Sequence, residues 1–143
     1  MRGALLAAAT LLAGCASAPA TPEERAREEY RQGNILFEKG FYSEAALRYE
    51  AAIAVRERMK DAYHRLAYCL EVQGEESRAV ETLERASRVD PSDEYALRHL
   101  WRLYCRRGFA VQALGAARRL VELHPADRDL HMEIARLQGL KGN

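Results

Sequence analysis

The chain has 143 residues, a length typical of one domain with its own hydrophobic core. Its 22 Lys and Arg residues nearly balance 21 Asp and Glu residues, so the formal net charge is +1. This balance argues against nucleic acid as a partner, because nucleic-acid-binding proteins usually carry a marked excess of basic residues.

The N-terminal segment is typical of a secretory signal peptide. Arg2 supplies a positive charge, Ala4 to Leu12 form a short apolar run, and small residues follow. The apolar run is too short to span a membrane as a helix. We therefore predict a signal peptide over residues 1–14.

The residues that close this segment are Leu12, Ala13, Gly14 and Cys15. They resemble the lipobox of bacterial lipoproteins, in which cleavage precedes the Cys and its thiol and new amine are both acylated. The resemblance implies that Cys15 is lipidated, with chains such as palmitate, and that these chains anchor the protein to a membrane. In the alternative, the protein is an ordinary secreted protein and Cys15 is incidental.

The residue after the Cys, Ala16, bears on which membrane is expected. In many Gram-negative bacteria, lipoproteins that stay in the inner membrane carry Asp directly after the lipidated Cys. By this resemblance, Ala16 implies a lipid-anchored protein of the outer membrane that faces the periplasm. A Gram-positive surface is the alternative. Residues 15–21 would form the lipidated Cys and a short tether. Only about five residues, 16–20, separate the lipid from the first helix, and their reach of under about 20 Å keeps the domain near the membrane surface.

The remainder of the chain, residues 22–143, is expected to be an all-α domain of helical hairpins. Thr21 and Glu24 have the pattern of a capping box around Pro22, which marks the start of the first helix. Ser43 and Ser77 are the expected N-caps of the second helix in each of the first two hairpins. Helices are predicted near residues 22–39, 43–57, 61–73, 77–89, 93–107, 111–123 and 128–140.

A sequence repeat of fixed period organises these helices. Three series recur at the same interval and in one phase: Gly40, Gly74, Gly108 and Gly142; Ala45, Ala79 and Ala113; Pro91 and Pro125. The prolines break the chain between hairpins. The first boundary, over residues 56–60, contains neither Gly nor Pro and is therefore the least defined.

The period of about 34 residues and its pattern resemble the tetratricopeptide repeat (TPR). The middle unit carries the family's pattern at Tyr63, Leu66, Ala67, Leu70, Gly74, Ala79, Leu83, Ala86 and Pro91. The resemblance implies a right-handed solenoid of about three repeats, over residues 26–59, 60–93 and 94–127, closed by a capping helix over residues 128–140.

The third unit departs from the family pattern in the size of its core residues. Trp101 occupies a position that is normally small, while Ala117 replaces the usual aromatic residue nearby and Leu120 replaces a small one. Packed cores tolerate substitutions that conserve total volume. We therefore interpret these residues as a volume exchange.

The resemblance also implies a binding groove lined by the first helix of each hairpin. Arginines recur every four residues along the third unit, so they form one ridge, and tyrosines are predicted beside them. Aromatic residues and Arg are enriched at binding hot spots. In the alternative, these arginines pair with acidic neighbours such as Glu71, and the tyrosines pack between hairpins. The predicted groove residues are Tyr30, Asn34, Phe37, His64, Tyr68, Tyr95, Arg98, Arg102 and Arg106, with Arg27, Asp61 and Glu71 in the same phases.

The function implied by the resemblance is that of a non-catalytic scaffold. Its groove would hold another envelope protein and assist the assembly or localisation of an envelope complex, as pilotins for pilus or secretion-system secretins and adaptors of cell-wall enzymes do. The two-carboxylate clamp of chaperone-binding relatives is not reproduced: Asn34 fits it, but Tyr30, Arg65 and Tyr95 do not. No Gly-rich phosphate loop, paired-His helix or Gly-x-Ser-x-Gly elbow is present, so no enzymatic activity, cofactor, metal or small-molecule substrate is expected.

Cys69, Cys105, His64 and His99 lie on the first helices of adjacent hairpins and support the alternative function. Three interpretations stay open for the cysteines: buried structural thiols, a disulfide in an oxidising periplasm, and a zinc site built with the two histidines. The alternative function is an enzyme accessory or metal-dependent module that uses these four residues.

Overall fold

The computed structural model describes residues 20–141, and all the secondary structure that it describes is helical. The predicted signal peptide, Cys15 and most of the tether lie outside these residues. The described chain forms seven helices, and each predicted helix end lies within two residues of the observed one. They are α1 (Pro22–Glu38), α2 (Tyr42–Val55), α3 (Lys60–Val72), α4 (Glu76–Val89), α5 (Glu94–Arg106), α6 (Ala110–Leu123) and α7 (Arg128–Lys141).

The start of α1 is held by the predicted capping box. The Glu24 N–H donates to Thr21 Oγ1 at 3.2 Å, and the Thr21 N–H donates to Glu24 Oε2 at 2.7 Å. Pro22 occupies the first turn, where its missing N–H costs no helical hydrogen bond. Both groups of the box are thus satisfied locally, without a tertiary contact.

The turn within each hairpin depends on a glycine with positive φ. Gly40, Gly74 and Gly108 have φ values of 79°, 77° and 73°, a left-handed conformation that glycine adopts without steric cost. Each turn closes with the two hydrogen bonds of a Schellman motif, for example Gly40 N–H to Phe37 O and Phe41 N–H to Leu36 O. The same backbone turn therefore recurs once in each repeat.

The predicted N-caps Ser43 and Ser77 are wrong. The residues that precede α2 and α4 are Phe41 and Glu75, and neither makes a side-chain capping bond. The Schellman turn satisfies the backbone at this point and lets the next helix begin immediately, so the serines fall inside the first helical turn. The Ser43 hydroxyl instead donates to Gln73 Oε1 at 2.8 Å, joining α2 to the end of α3.

The boundary over residues 56–60 folds like the boundaries that contain proline. The Arg56 N–H donates to Ala52 O, and the Met59 N–H donates to Arg56 O. The equivalent bonds occur one repeat later, from Asp90 to Ala86 and from Asp93 to Asp90. Proline is therefore not required for this turn.

The core runs along the stacked hairpins and depends on small residues where helices cross. Ala45, Ala79 and Ala113 are each fully buried, in agreement with their shared phase in the repeat. α7 continues the stack by burying Leu130 and Leu137. No helix among residues 20–141 combines the length and apolar character needed to cross a membrane.

Side-chain volume is exchanged between two phases of the repeat. The pairs at these phases are Gly33 with Tyr49, Ala67 with Leu83, and Trp101 with Ala117, so the first member grows as the second shrinks. The first pair is in direct contact, because a Cβ built on Gly33 would lie 2.7 Å from Tyr49 Cε1. In the third repeat, Trp101 packs against the buried Leu97, Leu120 and Leu130.

Candidate binding groove

One face of the molecule is lined by the first helix of each hairpin and carries two adjoining pockets. The N-terminal pocket, of about 440 Å³, lies among α1, α3 and α5 and includes Tyr30, Phe37, Asp61, His64, Arg65 and Tyr68. The C-terminal pocket, of about 550 Å³, lies between α5 and α7 and includes His99, Trp101, Cys105, Glu133 and Arg136. The predicted arginines Arg98, Arg102 and Arg106 line this second pocket, and Tyr95 lines both.

Aromatic rings from three helices form the wall of the N-terminal pocket. The Phe37 ring centroid lies 5.3 Å from that of Tyr68 and 5.4 Å from that of Tyr42. The Arg65 guanidinium lies over the Phe37 ring, 4.6 Å from its centroid, in cation–π geometry. Tyr68 remains 43% exposed. The pocket therefore offers an aromatic surface whose one nearby guanidinium is already held against a ring.

Tyr30 and Asn34 lean from α1 towards α2. The rings of Tyr30 and Tyr49 are tilted with centroids 5.7 Å apart. The buried Tyr49 hydroxyl donates to Asn34 Oδ1 at 2.8 Å. Asn34 thus satisfies a polar group of the core, while Tyr30 also lines the N-terminal pocket.

A stack of three rings separates the two pockets. Tyr95 lies between His64 and His99, with ring centroids 4.1 Å from each. His64 Nε2 donates to Asp93 Oδ2 at 2.6 Å, and His99 Nδ1 lies 3.2 Å from Glu71 Oε1. Each histidine therefore has a carboxylate partner, and the two broad faces of Tyr95 are covered, so its ring edge and hydroxyl are the parts left for a ligand.

Two titratable groups of the ring stack, Asp93 and His99, have shifted pKa values. Burial would raise the pKa of the Asp93 carboxyl, but hydrogen bonds from His64 and the Ala96 N–H outweigh it and hold that pKa below its usual value. Burial also lowers the pKa of His99, against the opposing effect of Glu71. A charged Asp93 beneath a histidine thus joins α3 to the start of α5.

The arginine ridge is both paired and exposed. Arg98 Nε donates to Glu94 at 2.7 Å, Arg102 Nη2 to Glu71 at 3.0 Å, and Arg106 Nη2 to Glu76 at 2.7 Å. The three arginine side chains nevertheless remain 43%, 50% and 48% exposed. Exposed ion pairs contribute little stability, about 0 to 1 kcal/mol each, so their main effect is to orient the guanidiniums.

The four residues of the alternative function do not converge on one site. Cys69 is fully buried in the core, whereas Cys105 lines the C-terminal pocket, and both thiols are free. Burial raises the pKa of Cys69 to about 11 and also raises that of Cys105, which disfavours the reactive thiolate. Within residues 20–141, no group of three or more His, Cys, Asp and Glu side chains is placed to hold a metal ion.

Two residues at the site, Arg136 and Asp93, were not predicted as groove residues; Arg136 was instead expected on the polar outer face of the capping helix. Arg136 lies one full repeat after Arg102, so extending the repeat phase into the final half-repeat predicts its place in the groove. Asp93 caps α5 by accepting from the Ala96 N–H at 3.1 Å. Its position directly before a helix start was the available signal, but its bond to His64 depends on tertiary packing.

Comparisons with known proteins agree with this architecture. The sequence model of the tetratricopeptide repeat family matches residues 36–100. A curated relative, the photosystem I assembly protein Ycf3 of Prochlorococcus marinus, is 29% identical over 99 residues, which are 67% of this chain. The match spans 57% of that relative's length.

Solved structures with the same fold share little sequence with this chain. The first TPR domain of Spaghetti (RPAP3), bound to an HSP90 peptide, gives a TM-score of 0.67 at 16% identity and covers 85% of this chain and 96% of that one. The Arabidopsis OM64 TPR domain gives 0.66 at 16%, covering 83% and 98%. MamA gives 0.67 at 18%, covering 82% and 68%. These similarities establish a TPR-like solenoid.

Proposed function

We propose that this chain, whose residues 36–100 match the tetratricopeptide repeat model and whose fold is a TPR-like solenoid, is a non-catalytic scaffold that binds a segment of another protein in the groove. Domains of this family bind peptides or proteins in their groove, and the fold is typically an interaction scaffold. The observation that carries the proposal is the pair of adjoining pockets, in which tyrosines and arginines from successive first helices stay accessible.

The groove contacts that we propose are those of the two pockets and the ring stack between them. Tyr68 offers exposed aromatic surface, Tyr95 offers its ring edge and hydroxyl, and the arginine ridge offers oriented donors. His64 and Asn34 act by positioning Tyr95 and Tyr49. The proposed set comprises Tyr30, Asn34, Phe37, His64, Tyr68, Tyr95, Arg98, Arg102 and Arg106.

We further propose that the bound partner is a protein of the bacterial cell envelope whose complex this scaffold helps to assemble. The curated relative is named as an assembly protein, and the solved domain of Spaghetti is described with a bound peptide. Both support a role in which a segment of a larger complex is held. A pilus or secretion component, or a cell-wall enzyme, fits this proposal.

The proposed location is the outer membrane, facing the periplasm, with a lipid anchor on Cys15. The support for this location is the pattern Leu12, Ala13, Gly14 and Cys15 after a short apolar run. Growth with a labelled fatty acid tests it. The wild-type protein should incorporate the label and sediment with outer membranes, whereas Cys15→Ser should do neither. An unlabelled wild-type protein would contradict the anchor.

Charge reversal on the ridge tests the groove. The double variant Arg98→Glu and Arg102→Glu should lose partners crosslinked in intact envelopes but keep its helical circular dichroism, because surface changes rarely cost much stability. A matched control reverses Arg88 and Arg118, which are exposed on the second helices α4 and α6. Equal crosslinking by wild type, variant and control would show that the ridge does not bind the partner.

A further inference from the structure

The two pockets of the groove differ in charge. The N-terminal pocket contains one carboxylate, Asp61, and one guanidinium, Arg65, which is engaged with Phe37. The C-terminal pocket is lined by four guanidiniums and a single carboxylate, Glu133, which accepts from Arg136 Nε at 2.9 Å. The carboxylates that pair with the arginine ridge, at Glu71, Glu76 and Glu94, hold it in place but are not part of the pocket lining.

Most donors of the ridge remain available. Arg98 uses only Nε in a hydrogen bond, and Arg106 uses only Nη2. The hydrogen bonds of Arg102 all involve Nη2. Among residues 20–141, the other nitrogens of these three side chains have no hydrogen-bond partner. Oriented guanidiniums with unused N–H groups are well suited to bind carboxylates, because the charge-assisted bonds can be bidentate.

The interior of the C-terminal pocket is apolar. Trp101 and Cys105 line it together with the edge of Tyr95, and the volume of about 550 Å³ falls within the range of small-ligand pockets. An apolar interior bordered by four guanidiniums and one carboxylate differs from the N-terminal pocket, whose lining has one charged group of each sign. This combination indicates an anchor site for one side chain and its charged neighbours.

We infer that the C-terminal pocket receives a bulky apolar side chain of the partner segment, with carboxylates on either side of it in the same segment held by Arg98, Arg102, Arg106 and Arg136. The inference rests on the proposed function and specifies which part of the groove holds the anchor residue. The apolar side chain supplies buried area against Trp101, and the carboxylates supply orientation and faster association.

The chain contains its own reporter for this site, because Trp101 is its single tryptophan. The probe is the peptide acetyl-Glu-Glu-Phe-Glu-Glu-amide, added to the purified protein while tryptophan emission is recorded. Two matched peptides replace the Phe by Ser or all four Glu by Lys. We expect a saturable change in emission with the first peptide, and binding at least about tenfold weaker for the other two, a difference of about 1.4 kcal/mol.

A pair of variants in α7 locates the binding surface. Arg136→Gln should weaken the Glu-Phe peptide severalfold, whereas Arg128→Gln, a change of the same kind at an exposed residue outside the pocket, should leave its affinity unchanged. Raised salt should weaken binding as well, because exposed charges are screened.

The outcomes separate this inference from the proposed function. Equal binding of the Phe and Ser peptides, stronger binding of the Lys peptide, or unchanged Trp101 emission would each overturn the inference. If the Arg98 and Arg102 reversal still abolished crosslinking of the natural partner in that case, the scaffold function would stand without this anchor pocket. If no variant lost either crosslinking of the natural partner or binding of the Glu-Phe peptide, both the inference and the proposed function would be overturned.

Discussion

At Gly33, the packing between α1 and α2 leaves too little room for an added methyl group. A Cβ there would lie 2.7 Å from Tyr49 Cε1, 2.9 Å from Cδ1 and 3.1 Å from Cζ. The ring cannot easily move away, because Tyr49 is fully buried, its hydroxyl donates to Asn34, and the Tyr30 ring lies with its centroid 5.7 Å away. Gly33→Ala should therefore destabilise the domain.

The size of this effect follows from two opposed terms. Overpacking of a core costs about 1–3 kcal/mol, while replacing Gly by Ala within a helix gains about 0.5–1 kcal/mol. Gly115→Ala measures the second term alone, because Gly115 is exposed in α6 with no atom within 4 Å of the added Cβ. The two variants should therefore differ by about 1–3 kcal/mol in their free energy of unfolding.

Thermal or urea unfolding followed by circular dichroism measures this difference, with about 2–8 °C in Tm expected for each kcal/mol. The double variant Gly33→Ala and Tyr49→Leu provides a further check, since it reproduces the Ala67 and Leu83 pair of the middle repeat. It should be more stable than the sum of the single effects implies. If Gly33→Ala unfolds at or above the temperature of Gly115→Ala, the proposed contact is wrong.

Three other predictions concern the repeat core, its turns and the base of the ring stack. Ala79→Leu should lower stability by about 1–3 kcal/mol in urea unfolding because Ala79 is fully buried at a helix crossing. Gly74→Ala should cost about 1–2 kcal/mol in the same assay, from its φ of 77° alone, since no atom lies within 4 Å of the added Cβ. Asp93→Ala should cost about 1–3 kcal/mol at pH 7. Because the folded-state pKa of Asp93 is depressed, that cost should shrink as the pH falls below about 4, whereas a constant loss would contradict an ionised Asp93 bonded to His64.

The helices could be predicted from the sequence because their determinants are local and recur in every repeat. Gly40, Gly74 and Gly108 each close the same Schellman turn, whichever residues surround them. The same local rules misplaced the caps at Ser43 and Ser77. Serine favours N-cap positions in general, but here the closing turn determines where the next helix begins.

The groove was only partly predictable. Repeat phase assigns Tyr95 and Arg102 to the first-helix face, where the structure has both lining the C-terminal pocket. Phase carries no information about which carboxylate from another helix meets each side chain. The bond between His64 and Asp93 spans 29 residues, and the contact between Arg102 and Glu71 spans 31. Such contacts depend on how the hairpins stack, which the sequence pattern alone does not specify.

The exchange of side-chain volume links the core to the groove. In the first repeat the large residue of the pair, Tyr49, lies on the second helix and is fully buried. In the third repeat the large residue is Trp101, on the first helix, and it reaches both the buried cluster around Leu97 and the C-terminal pocket. Because the second-helix residue of this pair is the small Ala117, the large side chain belongs to the first helix, which lines the groove. The apolar wall that distinguishes the C-terminal pocket is therefore a consequence of how the third repeat fills its core.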